Sequence, residues 1–393
     1  MKRSDLSFII KSFLGWRVLL CVFAFLSTFL IVNFGNRFAY ADRVLTITHL
    51  PSWIWGFGNF DGVHYLKIAQ SGYAADLSQA FFPLYPLLIR FFNFFPKDNL
   101  LDPVLFNDPS YFYTAMVLSI IFFIGALYFT YKLFSENYNK KIAQISILLL
   151  LSFPTAFYFG AVYSESLLLL LTVLTFWFTK KDKFLLAGLF AALASATKIQ
   201  GAILFIFLAV ELWKKYRNNL SEQRKHFTKD LLGILIAPLG LIFYMVYLKN
   251  TTGDFLYFLS SQPSFGAGRS SLPLIFLPQV IYRYLKIFLT VKVASLAFFN
   301  AFLEFSMTMG TVVVLIMAFK KMKFSYWIFS ILVVILPTLT GTFSSMPRYV
   351  LMAFMLFPYL AVRYEKNIKL IIIAQAFLQI ILLSMFIRGY WVS

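Results

Sequence analysis

Asp61 and His64 lie three positions apart in the stretch Asn59-Phe60-Asp61-Gly62-Val63-His64-Tyr65-Leu66-Lys67-Ile68-Ala69-Gln70-Ser71-Gly72-Tyr73. At helical spacing Asp61, His64, Tyr65 and Ile68 share a face. A carboxylate beside aromatics at a membrane surface loses solvation, which raises its basicity. A base that takes a proton from a sugar hydroxyl needs that property. Asp61 equally suits the N-cap of a short helix.

Four other stretches carry chemistry-bearing side chains. Gln79-Ala80-Phe81-Phe82-Pro83-Leu84-Tyr85-Pro86 fixes a rigid turn into an apolar segment; alone it reads as an interfacial anchor. Tyr163-Ser164-Glu165-Ser166 opens an apolar helix with an acid, which the helix dipole favours. Glu165 is thus an ordinary N-terminal acid or, because its turn is so short, a carboxylate facing protein near the membrane. Lys198, in Ser195-Ala196-Thr197-Lys198-Ile199-Gln200-Gly201, separates two apolar half-spans. An ionised group there is functional by default, or it snorkels to the interface. Arg348, in Ser344-Ser345-Met346-Pro347-Arg348-Tyr349, has the same two readings; a guanidinium at the interface suits a phosphate. Glu304 lies inside an apolar run and needs a partner or a cavity.

These residues need a scaffold, and composition names its class. Of 393 residues, 60% are hydrophobic, 20% aromatic and only 13% charged, against roughly 25% charged in a soluble protein. The chain reads as a single all-α polytopic membrane domain over 1–393. Spans of about 20 residues fall at Trp16–Phe34, Tyr111–Tyr131, Lys141–Phe159, Tyr163–Thr179, Phe184–Thr197, Ile199–Leu212, Leu231–Leu248, Val293–Phe319, Phe324–Gly341, Arg348–Val362 and Leu370–Phe386. That is about eleven, or one fewer if the pair flanking Lys198 forms one bent helix. With the N-terminus cytoplasmic, most of the 35 lysines and arginines fall in inner segments, Lys2, Arg3, Lys11 and Arg17 among them. The net charge of +19 therefore marks topology and contact with anionic lipid rather than nucleic-acid binding. The first run is longer than a signal h-region, so it reads as an uncleaved anchor despite Ala39-Tyr40-Ala41. Two long loops, 35–110 and 249–292, face outward. Within the first, Phe81–Phe95 reads as an interfacial or re-entrant helix. The outer Asn250-Thr251-Thr252 is a glycosylation sequon. With Cys21 alone, no internal disulfide forms.

His49, His64 and His226 are scattered, and no metal-ligand spacing, Walker A loop or dinucleotide fingerprint occurs. No metal or soluble cofactor is indicated.

Together the motifs resemble those of the PIG-V-like family, related to GPI mannosyltransferase II. Asp61 to Tyr73 resembles its first-loop signature and Gln79 to Pro86 its "AFFPxYP" segment. Tyr163 to Ser166, Ser195 to Gly201 and Pro347-Arg348-Tyr349 resemble later motifs, in order across most of the chain. Phe60 stands where tryptophan is frequent, and Lys198 where arginine is. The resemblance implies a GT-C-like membrane glycosyltransferase, a mannosyltransferase using a polyprenyl-phosphate sugar as donor and co-substrate at the extracytoplasmic face. It implies Asp61 as base in an inverting displacement, and Arg348, Lys198 and His64 at the donor phosphate, with His64 alternatively orienting Asp61. Glu165, Tyr163, Tyr65 and Gln79 would then serve the sugar or a glycan or glycolipid acceptor. The phenylalanine-, isoleucine- and lysine-rich composition is bacterial in character, which points to a plasma membrane.

The competing class is a transporter or flippase of a lipid-linked precursor, which would show inverted repeats and midplane charges. A non-enzymatic scaffold is a third class, and the presence of Asp61 argues against it. Convergence of Asp61, Glu165, Lys198 and Arg348 on one cavity is the geometric discriminator for the enzyme.

Overall fold

The structure, a computed structural model, describes residues 3–35, 44–75, 77–94, 108–217 and 224–392. Lys2, Ala39-Tyr40-Ala41 and Phe95 lie outside the described residues. In chain order the main helices are α1 (Arg3–Leu30), α2 (Asp61–Ser71), α3 (Leu84–Phe92), α4 (Ser110–Asn137), α5 (Lys140–Ser152), α6 (Glu165–Lys180), α7 (Phe184–Ser195) and α8 (Leu204–Tyr216). They continue with α9 (Arg224–Ile236), α10 (Leu239–Thr252), α11 (Leu277–Thr290), α12 (Leu296–Ala318), α13 (Phe324–Thr338), α14 (Met346–Tyr349), α15 (Leu356–Arg363) and α16 (Ile368–Ile387). Among the described residues the only β contact is an isolated bridge between Ile275 and Thr340.

Every apolar run of the sequence contains helix, but the lengths divide into two classes. Among the described residues, five helices are long and apolar enough to cross a membrane: Arg3–Leu30, Ser110–Asn137, His226–Thr252, Leu296–Ala318 and Glu365–Ile387. The others stop short. Helix α7 has 12 residues, which spans about 18 Å of a hydrocarbon core about 30 Å thick. Helices α5, α6, α7 and α13 each border a segment that leaves the α-conformation, at 153–164, 196–203 and 339–345. Residues 154–164 are buried throughout, as non-helical backbone at membrane depth must be. The motifs around Glu165, Lys198 and Arg348 lie at these interruptions, whereas Asp61 to Tyr73 and Gln79 to Pro86 lie in the first long loop.

The pair flanking Lys198 is two helices, not one bent one. A 3₁₀ turn over Ile199–Ile203 reverses the chain between α7 and α8. Gly201 permits the reversal, because a Cβ there would lie 2.1 Å from the Ala194 carbonyl oxygen. Helices α7 and α9 pack equally closely, with a Cβ on Gly188 placed 1.8 Å from the Gly233 oxygen. Small residues allow such backbone contact between membrane helices.

Arg17 departs from its expected place in the cytoplasmic basic group. It lies on α1 with its guanidinium inside the bundle, donating to the Gly160 carbonyl at 2.8 Å and covering the Phe57 ring. A carbonyl freed by the interruption after α5 is thereby satisfied. At the C-terminus of α1, Arg388 donates to the carbonyls of Ile31 and Val32 at 2.7 and 2.6 Å, a side-chain cap of orphan carbonyls.

The first long loop carries α2 and α3. Helix α3 buries Tyr85 and Ile89 while Leu87 and Phe91 remain exposed. The Tyr85 hydroxyl meets Ser119 on α4 at 2.8 Å. In the second loop lies α11, an amphipathic helix that the span tracing leaves as loop. Its Tyr284 supplies the partner Glu304 requires, donating to the carboxylate and accepting from the Phe343 N–H at 3.0 Å. At the molecule's other end, ion pairs join the basic turns: Lys181 to Glu136, Lys215 to Asp230 and Lys323 to Glu211 at 3.1, 3.0 and 2.6 Å.

Candidate active site

Asp61 is the first residue of α2, and no side chain caps that helix. Its carboxylate instead turns away to Arg348. The turn before it is anchored on the C-terminal helix: the Asn59 amide donates to the carbonyls of Phe386 and Ile387 at 2.9 and 3.1 Å. Phe60 adopts φ 59°, a costly conformation for an aromatic residue. It is held there by packing against Phe386 and Trp391. The Tyr163 hydroxyl donates to the Asn59 carbonyl at 2.9 Å.

Four charges from four chain segments meet here. Arg348 Nη1 donates to Asp61 Oδ2 at 2.5 Å, and Arg348 Nε lies 3.4 Å from Glu165 Oε1. Lys198 Nζ donates to the same Glu165 oxygen at 2.6 Å. Arg348 is 4% exposed and Glu165 1%. Burial of that depth is tolerable because each cation faces a carboxylate. Tyr158, Tyr163 and Tyr349 surround the guanidinium, with ring centroids 5.4 to 5.5 Å from it. Such an aromatic enclosure favours a cation.

The electrostatics correct one expectation. Burial pushes the Asp61 carboxyl up, but the Arg348 charge and hydrogen bond, aided by His64 and Lys198, hold it below the usual carboxylate range. Asp61 is therefore a paired carboxylate, not a basic one. Burial also lowers His64, to about 4, against a smaller opposing pull from Asp61. His64 is neutral at physiological pH, so it meets an anion as a hydrogen-bonding imidazole and not as a cation. Its ring stacks on Phe81 at 4.4 Å.

Asp61, His64, Tyr65, Lys198 and Arg348 line one cavity of about 1050 Å³. Glu165 stands behind the lining and ties Lys198 to Arg348. Besides Glu165, two more of the expected sugar or acceptor contacts lie outside the lining. Tyr163 is fully buried against the Asn59 turn. Gln79 is outside the lining, its amide donating to the Tyr73 carbonyl at 3.3 Å. The Tyr65 hydroxyl shares a 3.0 Å hydrogen bond with Ser164.

Motif reading quoted Gln200 and Tyr349 without giving them a role and missed the lining residues Phe265, Arg269 and Trp391. Gln200 is the most telling. It is 3% exposed, and among the described residues neither its amide nitrogen nor its oxygen has a hydrogen-bond partner. A buried unpaired amide is expensive, and one facing a cavity is poised for a polar ligand. Its place two residues beyond Lys198, in a polar interruption of an apolar run, was the available signal. Arg269 had only the signal of a lone cation in the small-residue stretch Gly266-Ala267-Gly268-Arg269-Ser270-Ser271.

The family model for mannosyltransferase (PIG-V) matches residues 9–258. GPI mannosyltransferase 2 of Schizosaccharomyces pombe (strain 972 / ATCC 24843) is 25% identical over 266 residues, which cover 67% of this chain and 53% of that protein. GPI mannosyltransferase 2 of Drosophila pseudoobscura pseudoobscura is 29% identical over 112 residues, 28% of this chain and 24% of that one. The chain thus matches about half or less of the length of these curated relatives. Among solved structures, the apo oligosaccharyltransferase of Archaeoglobus fulgidus aligns at TM-score 0.44 and 14% identity, over 96% of this chain and 56% of that chain.

Proposed function

The chain belongs to the mannosyltransferase (PIG-V) family, and from that premise we propose a membrane glycosyltransferase that moves mannose from a polyprenyl-phosphate carrier to an acceptor hydroxyl. The observation that carries this reading is the meeting of Asp61, Glu165, Lys198 and Arg348 from four segments at one cavity. A structural salt-bridge cluster would be packed shut. This one borders a space large enough for a sugar and a lipid phosphate.

The chemistry follows from the charges. Asp61 accepts the proton of the acceptor hydroxyl as its oxygen bonds to the anomeric carbon, on the face opposite the lipid phosphate. A carboxylate held below its usual pKa is a weak base toward a ground-state alcohol. Proton transfer is therefore late, when the attacking oxygen is bonded to carbon and acidic. Charge leaves the sugar with the phosphate and develops near Arg348 and Lys198, fixed donors in a desolvated site. Glu165 orients both cations. Gln200 offers its amide to sugar hydroxyls. The site faces outward, across the membrane from the basic turns and a cytoplasmic N-terminus; the bacterial plasma membrane is the setting.

Purified protein in liposomes with radiolabelled polyprenyl-phosphate mannose tests the reading. Wild type is expected to release or transfer the sugar, and Asp61→Asn to lose at least about a hundredfold in rate. Equal rates in both would sink Asp61 as base. Lipid movement between leaflets with no sugar transfer would move the assignment to a flippase.

A further inference from the structure

The cavity holds a third cation that no motif pointed to. Arg269, in the second long loop, lines it alongside Lys198 and Arg348. The other two are already matched: Arg348 faces Asp61 at 2.5 Å and Lys198 faces Glu165 at 2.6 Å. Arg269 has no carboxylate within ion-pairing distance among the described residues. Its guanidinium donates only to neutral oxygens: Ser345 at 3.2 Å, Ser344 at 3.4 Å and Gln262 at 3.4 Å. Glu304 lies within its electrostatic reach but accepts from the Tyr284 hydroxyl instead. His64 adds no charge, being neutral above about pH 4.

The fold holds this arginine in place. The Ser270 N–H donates to Thr340 at 2.7 Å and the Ile275 N–H to Leu339 at 3.0 Å. Arg283 on α11 donates to the Gly341 carbonyl at 2.9 Å. The loop is thereby stitched to the segment that ends in Arg348. Ser344 is buried yet reaches the cavity wall, so it offers a hydroxyl beside a cation in a poorly hydrated recess, while Ser345 is enclosed behind it. One flank of the cavity is apolar, with Leu241 and Met245 from α10, and Leu336 and Leu339 at the end of α13.

We infer that Arg269, with Ser344 beside it on the cavity wall and the buried Ser345 hydroxyl bracing the guanidinium from behind, forms the subsite that binds the phosphate of a lipid-linked substrate, the prenyl chain lying along the apolar flank. This rests on the transferase reading for the identity of the substrate, but not for the presence of the subsite. The reason is charge balance. An incoming phosphate adds negative charge to a cluster in which two cations already face two carboxylates. Of the three cations, Arg269 is the one whose guanidinium meets no carboxylate directly among the described residues, with Glu304 acting on it only at longer range, and its planar fork accommodates two phosphate oxygens.

Binding of tritiated farnesyl phosphate to the purified full-length protein, with unlabelled farnesol and inorganic phosphate as competitors, is the test. Wild type is expected to bind farnesyl phosphate about tenfold or more tightly than farnesol. Arg269→Gln should erase that preference while leaving farnesol affinity unchanged, and Arg269→Lys should keep part of it. An unchanged preference in Arg269→Gln would overturn the assignment. So would an equal loss for farnesyl phosphate and farnesol, which would make Arg269 a structural residue. Inorganic phosphate binding as tightly as farnesyl phosphate would also overturn it, making the subsite one for the free ion. Because binding is read without turnover, a wild type that binds in this pattern but transfers no sugar would defeat the transferase reading and leave the subsite standing.

Discussion

Asp61 shows how a neighbour reverses an argument made from burial alone. Its surroundings are as apolar as its aromatic flanks suggest, yet Arg348 outweighs them and stabilises the anion. For His64, three residues on and outside any spanning helix, burial outweighs the opposing pull of Asp61 and pushes it down to about 4. Between about pH 6.5, the value for a free histidine, and about 4, the unfolded chain binds a proton at His64 that the folded chain does not. Stability is then lost as pH falls through that window. Thermal melts in detergent should show this loss reduced in His64→Phe relative to wild type; parallel curves would disprove it. Asp61, also lowered, acts in the same direction in a lower window: its stabilisation is present above the ordinary aspartate value of about 3.9 and is lost as pH falls below it. Gln200→Leu separates ligand binding from packing. Removing a buried unpaired amide should leave the melting temperature equal or higher, while transfer falls about tenfold through a raised KM. Unchanged kinetics would return Gln200 to a structural role.

The interrupted helices explain why the site exists where it does. A continuous helix satisfies its own backbone and leaves nowhere for several charged side chains to meet. Stopping α5, α7 and α13 early frees backbone groups, and named partners satisfy them: Arg17 at Gly160 and Thr155 at the Pro347 carbonyl, 2.6 Å away. Two glycines set how closely the pieces pack. Ala at Gly188 or Gly201 would place a methyl 1.8 or 2.1 Å from a carbonyl oxygen. Either substitution should destabilise the protein by about 1–3 kcal/mol, read as a lower melting temperature. Gly15 is the control, since nothing lies within 4 Å of a Cβ there. If Gly188→Ala melts like Gly15→Ala, the close packing of α7 on α9 is wrong.

At the scale of the whole molecule, charge is sorted to two ends. The carboxylate–cation cluster with Arg269 sits at one, and the lysine-rich turns with their surface ion pairs at the other. With Cys21 replaced by Ser, Lys249→Cys should react with a membrane-impermeant maleimide on intact cells, and Lys321→Cys only after permeabilisation. The reverse pattern would invert the proposed orientation. Much of this was legible in the chain itself. Apolar runs long enough to bury themselves in lipid identify a helical membrane protein whatever their partners, because backbone satisfaction and hydropathy are local properties. The positions of Asp61, Glu165, Lys198 and Arg348 in separate motifs were legible too, each as an ionised group in a place where charge is expensive. Their mutual distances were not. Asp61 and Arg348 are 287 positions apart, and no local rule states which cation compensates which acid. That pairing, the lowered pKa of Asp61, the withdrawal of Tyr163 and Gln79 from the cavity, and the placing of Arg269 on its wall all depend on how helices stop and pack. Those are long-range contacts, and they exist only once the bundle has closed.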